Sequence, residues 1–364
     1  MQAYNRIWNF NPGPAALPLE VLEQIHKDWF NHQGAGMNVM EMSHRGKEYE
    51  AIHNRTVALV KQLLGLGDDY HILFLQGGAS LQFAMLPLNF LVEGKIADYL
   101  YVGDWSKKAI KEAKIIGKVN LAFDGEETKF IRLPRQGDLK LTRGAAYVHI
   151  TSNETIKGTE FFTFPDTDDV PLVADMSSDI LSHRFDAKLF SLIYAGAQKN
   201  LGPSGVTLVI IKDKFLQSAR DGLPTMLSYK THVAENSLYN TPPTFAIYIM
   251  NLVMQWIVDK GGLEGIERAN RAKAATLYDY IDSSDGYYKG TVVKDSRSWM
   301  NACLRLPNEE LEDKFIKEAK AAGFIGLKGH RSVGGVRVSM YNAVPLDAIK
   351  DLVGFMKEFK AKNG

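Results

Sequence analysis

Cysteine is almost missing from this sequence, since Cys303 is the single cysteine in 364 residues. One thiol cannot form an internal disulfide, and it cannot build a cysteine-based zinc site. The nine histidines are scattered and lack the spacing of metal ligands. We therefore expect no metal site, and the scarcity of cysteine fits a reducing, cytoplasmic setting.

An excess of charge of either sign is also missing. The chain has 43 basic and 42 acidic side chains, a net charge of +1, which gives no electrostatic footprint for nucleic acid or an anionic membrane. No apolar run approaches the ~20 residues of a membrane-spanning helix. The first residues lack the pattern of a signal peptide. Signatures of nucleotide-binding phosphate loops, zinc proteases and serine hydrolases are likewise missing. We expect neither nucleic acid nor a membrane as a partner.

Short apolar segments alternate with helical patterns through the first two thirds of the chain. This alternation predicts the α/β class, with a mostly parallel sheet covered by helices on both faces. The predicted strands are His71–Leu75, Asp98–Val102, Ala145–Ile150, Pro171–Ala174, Leu189–Tyr194 and Val206–Ile211. The predicted helices are 18–30, Glu48–Leu64, Ser80–Leu91 and Ser106–Ile116.

The rest of the chain has a different pattern, with long helices and few strands. Predicted helices are Thr244–Val258, Leu263–Ile281, Asn308–Ala322 and Leu346–Lys360, and predicted strands are Ser298–Leu306 and Val336–Met340. The length favours two domains. We place a large domain at 16–259 and a smaller α+β domain at 260–364, with the N-terminal segment 1–15 packing near the small domain. The hinge is predicted at Lys260–Gly262.

Polar or small residues follow five of the predicted strands. Ligands of open α/β sheets bind at the carboxyl ends of the strands, so these sets are expected at one edge of the sheet. They are Gln76–Ser80, Gly103–Trp105, Thr151–Thr155, Asp175 and Ala195–Lys199.

Lys199 and Asp175 are the strongest catalytic candidates among these sets. An isolated lysine is usually a solvated surface residue, but Lys199 lies among small residues between two apolar strands. Partial desolvation there would lower its pKa and make it a better nucleophile. Asp175 could simply cap a turn at a strand end. Alternatively, its buried carboxylate could pair with a cation such as a protonated pyridine nitrogen.

Three further features have both a structural and a functional interpretation. Gly77-Gly78-Ala79-Ser80 is a common type of turn and N-cap, or a cradle of N–H groups for a phosphate. Trp105 is either core or a flat face for an aromatic ring. Thr155 is either a loop hydroxyl or a hydrogen-bond partner of a phenolic oxygen.

The order of this set along the chain, together with several local motifs, resembles the phosphoserine aminotransferases. These are fold-type I enzymes of class V that depend on pyridoxal 5′-phosphate, and the resemblance covers essentially the whole chain. The motifs that carry it are Asn9-Phe10, Gly13-Pro14, Ser43-His44-Arg45-Gly46, Ala195-Gly196-Ala197-Gln198-Lys199-Asn200, Gly202-Pro203, Gly329-His330-Arg331, Gly334-Gly335, Arg337 and Tyr341-Asn342.

The resemblance implies a role for each matched residue. Lys199 is the Schiff-base lysine and proton carrier, Asp175 pairs with the pyridine nitrogen, Trp105 stacks on the ring and Thr155 bonds the 3′ oxygen. The phosphate of the cofactor is held by Ala79, Ser80 and Gln198, with Asn240 and Thr241 reaching it from the second subunit of a homodimer.

The resemblance also implies the reaction and the substrate pocket. An amino group is transferred between glutamate and 3-phosphohydroxypyruvate, giving O-phospho-L-serine and 2-oxoglutarate in serine biosynthesis. Some bacterial members also use 4-phosphohydroxythreonine in vitamin B6 synthesis. Arg337 holds the α-carboxylate, and the distal anion faces His44, Arg45, His330 and Arg331. Pro12 departs from the serine of bacterial members and has neither a hydroxyl nor an N–H.

Two other functions compete with this interpretation. A cysteine desulfurase needs a nucleophilic cysteine on a mobile loop, whereas Cys303 lies in a predicted half-buried strand. A non-catalytic protein that binds phosphorylated metabolites is the alternative from another class. The complete set of catalytic residue types argues against it.

Overall fold

One seven-stranded sheet organises the chain in the computed structural model, which describes residues 3–364. The strands, peripheral ones included, are β1 (Trp8–Asn9), β2 (Tyr70–Leu75), β3 (Ile96–Tyr101), β4 (Lys118–Asp124), β5 (Val148–Thr151), β6 (Asn153–Glu154), β7 (Thr159–Glu160), β8 (Leu172–Asp175), β9 (Phe190–Gly196), β10 (Thr207–Lys212), β11 (Lys289–Gly290), β12 (Asn301–Arg305), β13 (Phe324–Ile325) and β14 (Val336–Ser339). The helices are α1 (Leu19–Lys27), α2 (Lys47–Leu64), α3 (Gly78–Phe90), α4 (Asp104–Ile116), α5 (Asp213–Leu216), α6 (Tyr229–Ala234), α7 (Thr244–Asp259), α8 (Gly262–Asp282), α9 (Glu309–Ala321) and α10 (Leu346–Asn363).

The sheet is parallel apart from one strand. Its order is β2-β10-β9-β8-β5-β3-β4, and β10 runs antiparallel to both of its neighbours. The connection from β9 to β10, residues 197–206, contains no helix, whereas a parallel neighbour requires a longer crossover. The prediction of an α/β fold with a mostly parallel sheet is therefore confirmed.

Both faces of the sheet are buried, as β2 shows. Ile72 and Phe74 lie in one apolar core, which α2 and α7 also line, while Leu73 and Leu75 lie in a second core with α3 and α4. A strand buried on both faces has an uninterrupted apolar sequence. This explains why such strands could be located from sequence to within a few residues.

The strand β4 was not predicted from the sequence. It forms the edge of the sheet beside β3 and is mostly half-buried, so its sequence mixes Lys118, Asn120 and Asp124 with apolar residues. The short hairpin of β6 and β7 was missed as well. The predicted strand from Ala145 begins at Val148 in the structure.

A third apolar core lies in the C-terminal part of the chain. It is formed by the sheet of β11, β12 and β14 with α8, α9 and α10, and it also contains Phe10. β1 pairs with β13, so the N-terminal segment packs here. Because α8 supplies Leu263 to the first core and Leu277 to the third, it belongs to both, and the domain boundary near residue 260 stays a prediction.

Two further findings concern residues 3–364 only. No helix in this range combines the length and the apolar character needed to cross a bilayer. The same residues bring together no group of three or more histidine, cysteine, aspartate or glutamate side chains suited to a metal ion.

Candidate active site

The carboxyl ends of the parallel strands open into one cavity of about 220 Å³. It is lined by Pro12, Gly13, Gly78, Ala79, Ser80, Trp105, Thr151, Asn153, Thr155, Ile156, Asp175, Ser177, Ser178, Gln198, Lys199, His330 and Arg337. All five polar sets predicted at strand ends contribute to this lining. The parallel sheet brings them together, because the carboxyl ends of parallel neighbours share one edge.

Lys199 lies in the connection that follows β9, and its amine points into the cavity. Nζ donates a hydrogen bond to Oγ1 of Thr155 at 2.7 Å and lies 5.4 Å from the centre of the Trp105 ring. Burial lowers the pKa of Lys199 to about 8, although Asp175 and Glu154 oppose the shift. An amine with this pKa is partly neutral near physiological pH and can therefore act as a nucleophile.

A glycine beside the lysine makes room for its side chain. Gly13 has φ of +137°, and a Cβ there would lie 3.3 Å from Cγ of Lys199. A larger residue would therefore combine backbone strain with a close contact. The segment around Gly13 is fixed by the N–H of Ala15, which donates to the carbonyl of Gln198 at 2.9 Å.

Asp175 ends β8 and is almost completely buried. Its Oδ1 accepts the backbone N–H of Ser177 at 2.9 Å and the hydroxyl of Ser177 at 2.6 Å. Burial nevertheless raises the pKa of this carboxyl, against the effect of these bonds and of Lys199. A cation in the cavity would stabilise the ionised form, so the site favours a positively charged partner for Asp175.

Trp105 forms a wall of the cavity from the first turn of α4. Its backbone N–H donates to Oε2 of the buried Glu154 at 3.0 Å, and this fixes the start of the helix. Its indole Nε1 is buried without a hydrogen-bond partner. A buried donor of this kind favours a bound group with an acceptor.

The start of α3 presents backbone N–H groups to the same cavity. Gly77 caps the helix with φ of +86°, and Gly78, Ala79 and Ser80 form its first turn. The N–H groups of a first turn have no acceptor within the helix and lie at its positive end. This is the arrangement that binds a phosphate group.

Arg337 brings a positive charge to the cavity from β14. The side chain is buried, its Nε has no partner, and Nη1 makes only a long contact of 3.5 Å with the carbonyl of Thr155. Among residues 3–364 it forms no ion pair with a carboxylate. A buried guanidinium without a counter-charge favours a bound anion, and its geometry suits a carboxylate.

Comparisons with known proteins agree with this geometry. A family model for class-V aminotransferases matches residues 7–352. The phosphoserine aminotransferase of Niallia circulans is 55% identical, and the match covers 99% of this chain and 99% of the relative. The chain belongs to the phosphoserine aminotransferase family.

Solved structures of the family have the same fold. The phosphoserine aminotransferase from Bacillus circulans subsp. alkalophilus matches with a TM-score of 0.97 at 55% identity, over 99% of both chains. The PLP-bound phosphoserine aminotransferase from Trichomonas vaginalis matches with a TM-score of 0.91 at 39% identity, covering 97% of this chain and all of the other. The fold, the family and the class of enzyme predicted from the sequence are thereby confirmed.

The residues predicted for the site fall into two groups in this family member. Nine of them line the cavity, namely Ala79, Ser80, Trp105, Thr155, Asp175, Gln198, Lys199, His330 and Arg337. The other five, His44, Arg45, Asn240, Thr241 and Arg331, lie outside it. Of these five, Arg45, Thr241 and Arg331 are exposed, and Arg331 adjoins His330 at the cavity.

Three residues that support the cavity lining were not singled out from the sequence. Ser177 holds Asp175, Glu154 holds Trp105, and Ser178 holds Thr155 through a contact of 3.0 Å between their hydroxyl oxygens. Glu154 lies within the polar set Thr151–Thr155, whereas Ser177 and Ser178 follow shortly after Asp175 at the end of β8. Pro12 offers its carbonyl, which accepts the hydroxyl of Tyr341 at 2.8 Å.

Cys303 has the environment of an inert thiol in this structure. It lies on β12, its Sγ contacts the carbonyl of Ile156 at 3.4 Å, and burial raises its pKa to about 12. We expect Cys303→Ser to change kcat/KM for transamination by less than about threefold, since a substitution of similar size away from the reacting atoms has a small effect. Neither form should release sulfide from cysteine. A strong loss of activity, or sulfide release that disappears in the variant, would point to a catalytic thiol.

Proposed function

We propose that this chain transfers an amino group between glutamate and 3-phosphohydroxypyruvate, giving O-phospho-L-serine and 2-oxoglutarate, with pyridoxal 5′-phosphate as cofactor. The observation that carries the proposal is a single cavity holding the Lys199 amine, the Asp175 carboxylate and an unpaired Arg337 guanidinium. Membership of the phosphoserine aminotransferase family supports the choice of substrates. Use of 4-phosphohydroxythreonine and a cytoplasmic location stay predictions from the sequence.

The residues present fit pyridoxal 5′-phosphate. The first turn of α3, which contains Ala79 and Ser80, would hold the phosphate together with Gln198. Trp105 would cover the ring. Asp175 would pair with the protonated ring nitrogen, a cation that would stabilise its ionised carboxylate. Thr155 would face the 3′ oxygen. When bound, the cofactor supplies an electron sink for the carbon from which a proton is removed.

Lys199 would both attach the cofactor and move the proton. Its lowered pKa of about 8 makes the neutral amine available, and the neutral amine is the form that accepts a proton from the substrate carbon. The hydrogen bond to Thr155 fixes the direction of the side chain, and the missing Cβ of Gly13 leaves room for it. One residue can therefore serve both half-reactions, which use the same cofactor in turn.

Arg337 would bind the α-carboxylate that both substrates carry. A bidentate guanidinium–carboxylate pair orients the substrate, and Arg337 is held by the strand pairing of β14 with β12. The two substrates differ at the distal end, where one has a phosphate and the other a carboxylate. Histidine and arginine side chains can hold either anion. His330 and Arg331 are the candidates that lie nearest to Arg337 in the sequence.

A homodimer would bring the remaining site residues to the cavity. Asn240 and Thr241 lie outside the cavity of their own chain, and so do His44 and Arg45; a second chain would bring them to the site. Large apolar side chains are exposed before the segment that carries His44, with Phe30 86% and Met40 53% accessible. Such exposure is typical of a surface that another subunit covers.

The substrate assignment can be tested by comparing two arginines. Arg331→Ala should lower kcat/KM for phosphoserine roughly tenfold to a hundredfold, because each charge-assisted hydrogen bond contributes about 1.5–3 kcal/mol. It should change kcat/KM for alanine little, since alanine has no distal anion. Arg337→Ala should lower kcat/KM for both substrates by a similar factor. Steady-state assays with phosphoserine and alanine as amino donors measure these ratios.

The wild-type protein provides the control for this comparison. It should use phosphoserine with 2-oxoglutarate far better than it uses alanine. If Arg331→Ala lowers kcat/KM for phosphoserine and for alanine by equal factors, Arg331 does not contact the phosphate. If the wild-type protein transaminates with neither donor, the proposed function itself is wrong.

A further inference from the structure

A buried chain of hydrogen bonds joins the C-terminal sheet to the amine of Lys199. Asn153 Nδ2 donates to Oδ1 of Asn301 on β12 and to Oγ of Ser178, both at 2.8 Å. Ser178 Oγ lies 3.0 Å from Oγ1 of Thr155, which accepts from Lys199 Nζ at 2.7 Å. The four residues that precede Lys199 in this chain of bonds are all at least 98% buried.

Counting protons fixes the direction of each bond. Ser178 has one hydroxyl proton, and its oxygen lies 2.9 Å from the backbone carbonyl of Asn153, which can only accept. Ser178 therefore donates to that carbonyl and accepts from Asn153 Nδ2. Its contact with Thr155 is then a hydrogen bond only if Thr155 is the donor.

The direction of the hydrogen bond between Thr155 and Ser178 determines whether Thr155 faces the Lys199 amine as a donor or as an acceptor. A threonine hydroxyl also has one proton, and Ser178 takes it, so Thr155 presents only acceptor lone pairs to the amine. Tyr341, which also approaches Thr155, gives its own proton to the carbonyl of Pro12 at 2.8 Å. The hydroxyls of Ser178 and Tyr341 therefore both donate to backbone carbonyls, and neither donates a proton to Thr155.

We infer that Ser178 is a positioning residue, which takes the proton of Thr155 and thereby makes Thr155 a fixed acceptor for Lys199. Because Ser178 is linked through Asn153 to Asn301, the orientation of the Thr155 hydroxyl depends on the position of the C-terminal sheet, which also carries Arg337. The inference rests on the proposed role of Lys199 as the reactive lysine. It goes beyond that role by assigning the group that sets the proton affinity of the amine.

An acceptor-only neighbour favours the form of the amine with more N–H groups, which is the ammonium form. Removing the Ser178 hydroxyl leaves the Tyr341 oxygen and the lone pair of the amine as acceptors for the Thr155 proton, and donation to the amine favours its neutral form. The pKa of Lys199 should then fall. The charged groups around Lys199 are present in the wild-type protein and the variant alike: Asp175, Glu154, Asp179 and Arg337.

The experiment measures the proton affinity of Lys199 directly. The full-length chain, freed of cofactor with a carbonyl-trapping reagent, is treated with an acylating reagent at a series of pH values, and modification of Lys199 is followed by mass spectrometry. Ser178→Ala should lower the midpoint of the pH profile by roughly 0.5–1 pH unit, the size expected for one hydrogen bond. Ser182→Ala, which removes a buried hydroxyl outside this chain of bonds, should leave the midpoint unchanged.

A double-mutant cycle shows whether Ser178 acts through Thr155. In a Thr155→Ala background, Ser178→Ala should cause no further shift. An equal shift in both backgrounds, or no shift from Ser178→Ala alone, would overturn the inference. Ser178→Cys fills the same space with a weak acceptor and should shift the midpoint in the same direction, so it repeats the test if the alanine variant does not fold. The labelling profile does not depend on transamination, so loss of the proposed function would appear separately, as absence of activity in the wild-type holoenzyme.

Discussion

Replacing Lys199 with alanine should abolish transamination almost completely. In the proposed function, Lys199 is both the point of covalent attachment of the cofactor and the base that moves the substrate proton, and acid–base catalysis alone typically contributes 10²–10⁴-fold. We expect kcat to fall by at least about 10⁴-fold. The visible absorbance of the lysine-bound cofactor should be absent as well. Steady-state assays with glutamate and an absorbance spectrum of the purified variant measure both effects.

The matched control for this variant is another buried lysine. Lys273 is buried, and its pKa is lowered to about 7 by burial. It donates to the carbonyls of Met340 and Tyr341, at 2.9 and 2.8 Å, and does not line the cavity. Lys273→Met should lower stability but retain the visible absorbance of the bound cofactor. Near-normal turnover by Lys199→Ala would show that another amine holds the cofactor.

The part of the site that sequence could predict depends on one regular feature of the fold. Residues directly after a buried parallel strand reach the same edge of the sheet, so the strand pattern alone places Trp105, Thr155, Asp175 and Lys199 near one another. The apolar strands that carry them are recognisable because they are buried on both faces. The resemblance to the family then assigned a role to each of these side chains.

The supporting contacts could not be predicted in the same way. Ser178 meets Thr155, and Asn153 meets Asn301, across 23 and 148 positions of sequence. These contacts depend on the side-chain direction at each position, which a strand pattern does not specify. The fourteen predicted site residues also include Asn240 and Thr241, which lie outside the cavity of their own chain, and a strand pattern gives no indication of a contribution from a second chain.

Asp175→Asn should leave the cofactor bound but slow the removal of the substrate proton strongly. The asparagine Oδ1 can still accept both hydrogen bonds from Ser177, so the local geometry should persist. In the proposed function the Asp175 charge keeps a proton on the ring nitrogen; the amide lacks that charge, so the electron sink should be weaker. We expect a loss on the order of 10²–10³-fold, comparable to the removal of one preorganised electrostatic group from a buried site. Single-turnover rates with glutamate measure this loss, and a larger isotope effect with α-deuterated glutamate would place it at proton removal.

The same substitution should stabilise the protein when the cofactor is absent. Burial raises the pKa of Asp175 in the folded chain, so its stabilising contribution is present at low pH and is lost as pH rises through the folded pKa. At neutral pH the buried charge therefore opposes folding, and asparagine removes it. We expect cofactor-free Asp175→Asn to unfold at a higher temperature than the cofactor-free wild-type protein.

Asp179→Asn is the matched control for the rate of proton removal. Asp179 is a buried neighbour that accepts a hydrogen bond from Ser152 at 2.6 Å and does not line the cavity. It should retain rapid proton removal. An unchanged single-turnover rate in Asp175→Asn, or an equal loss in Asp179→Asn, would show that the ring nitrogen has another partner.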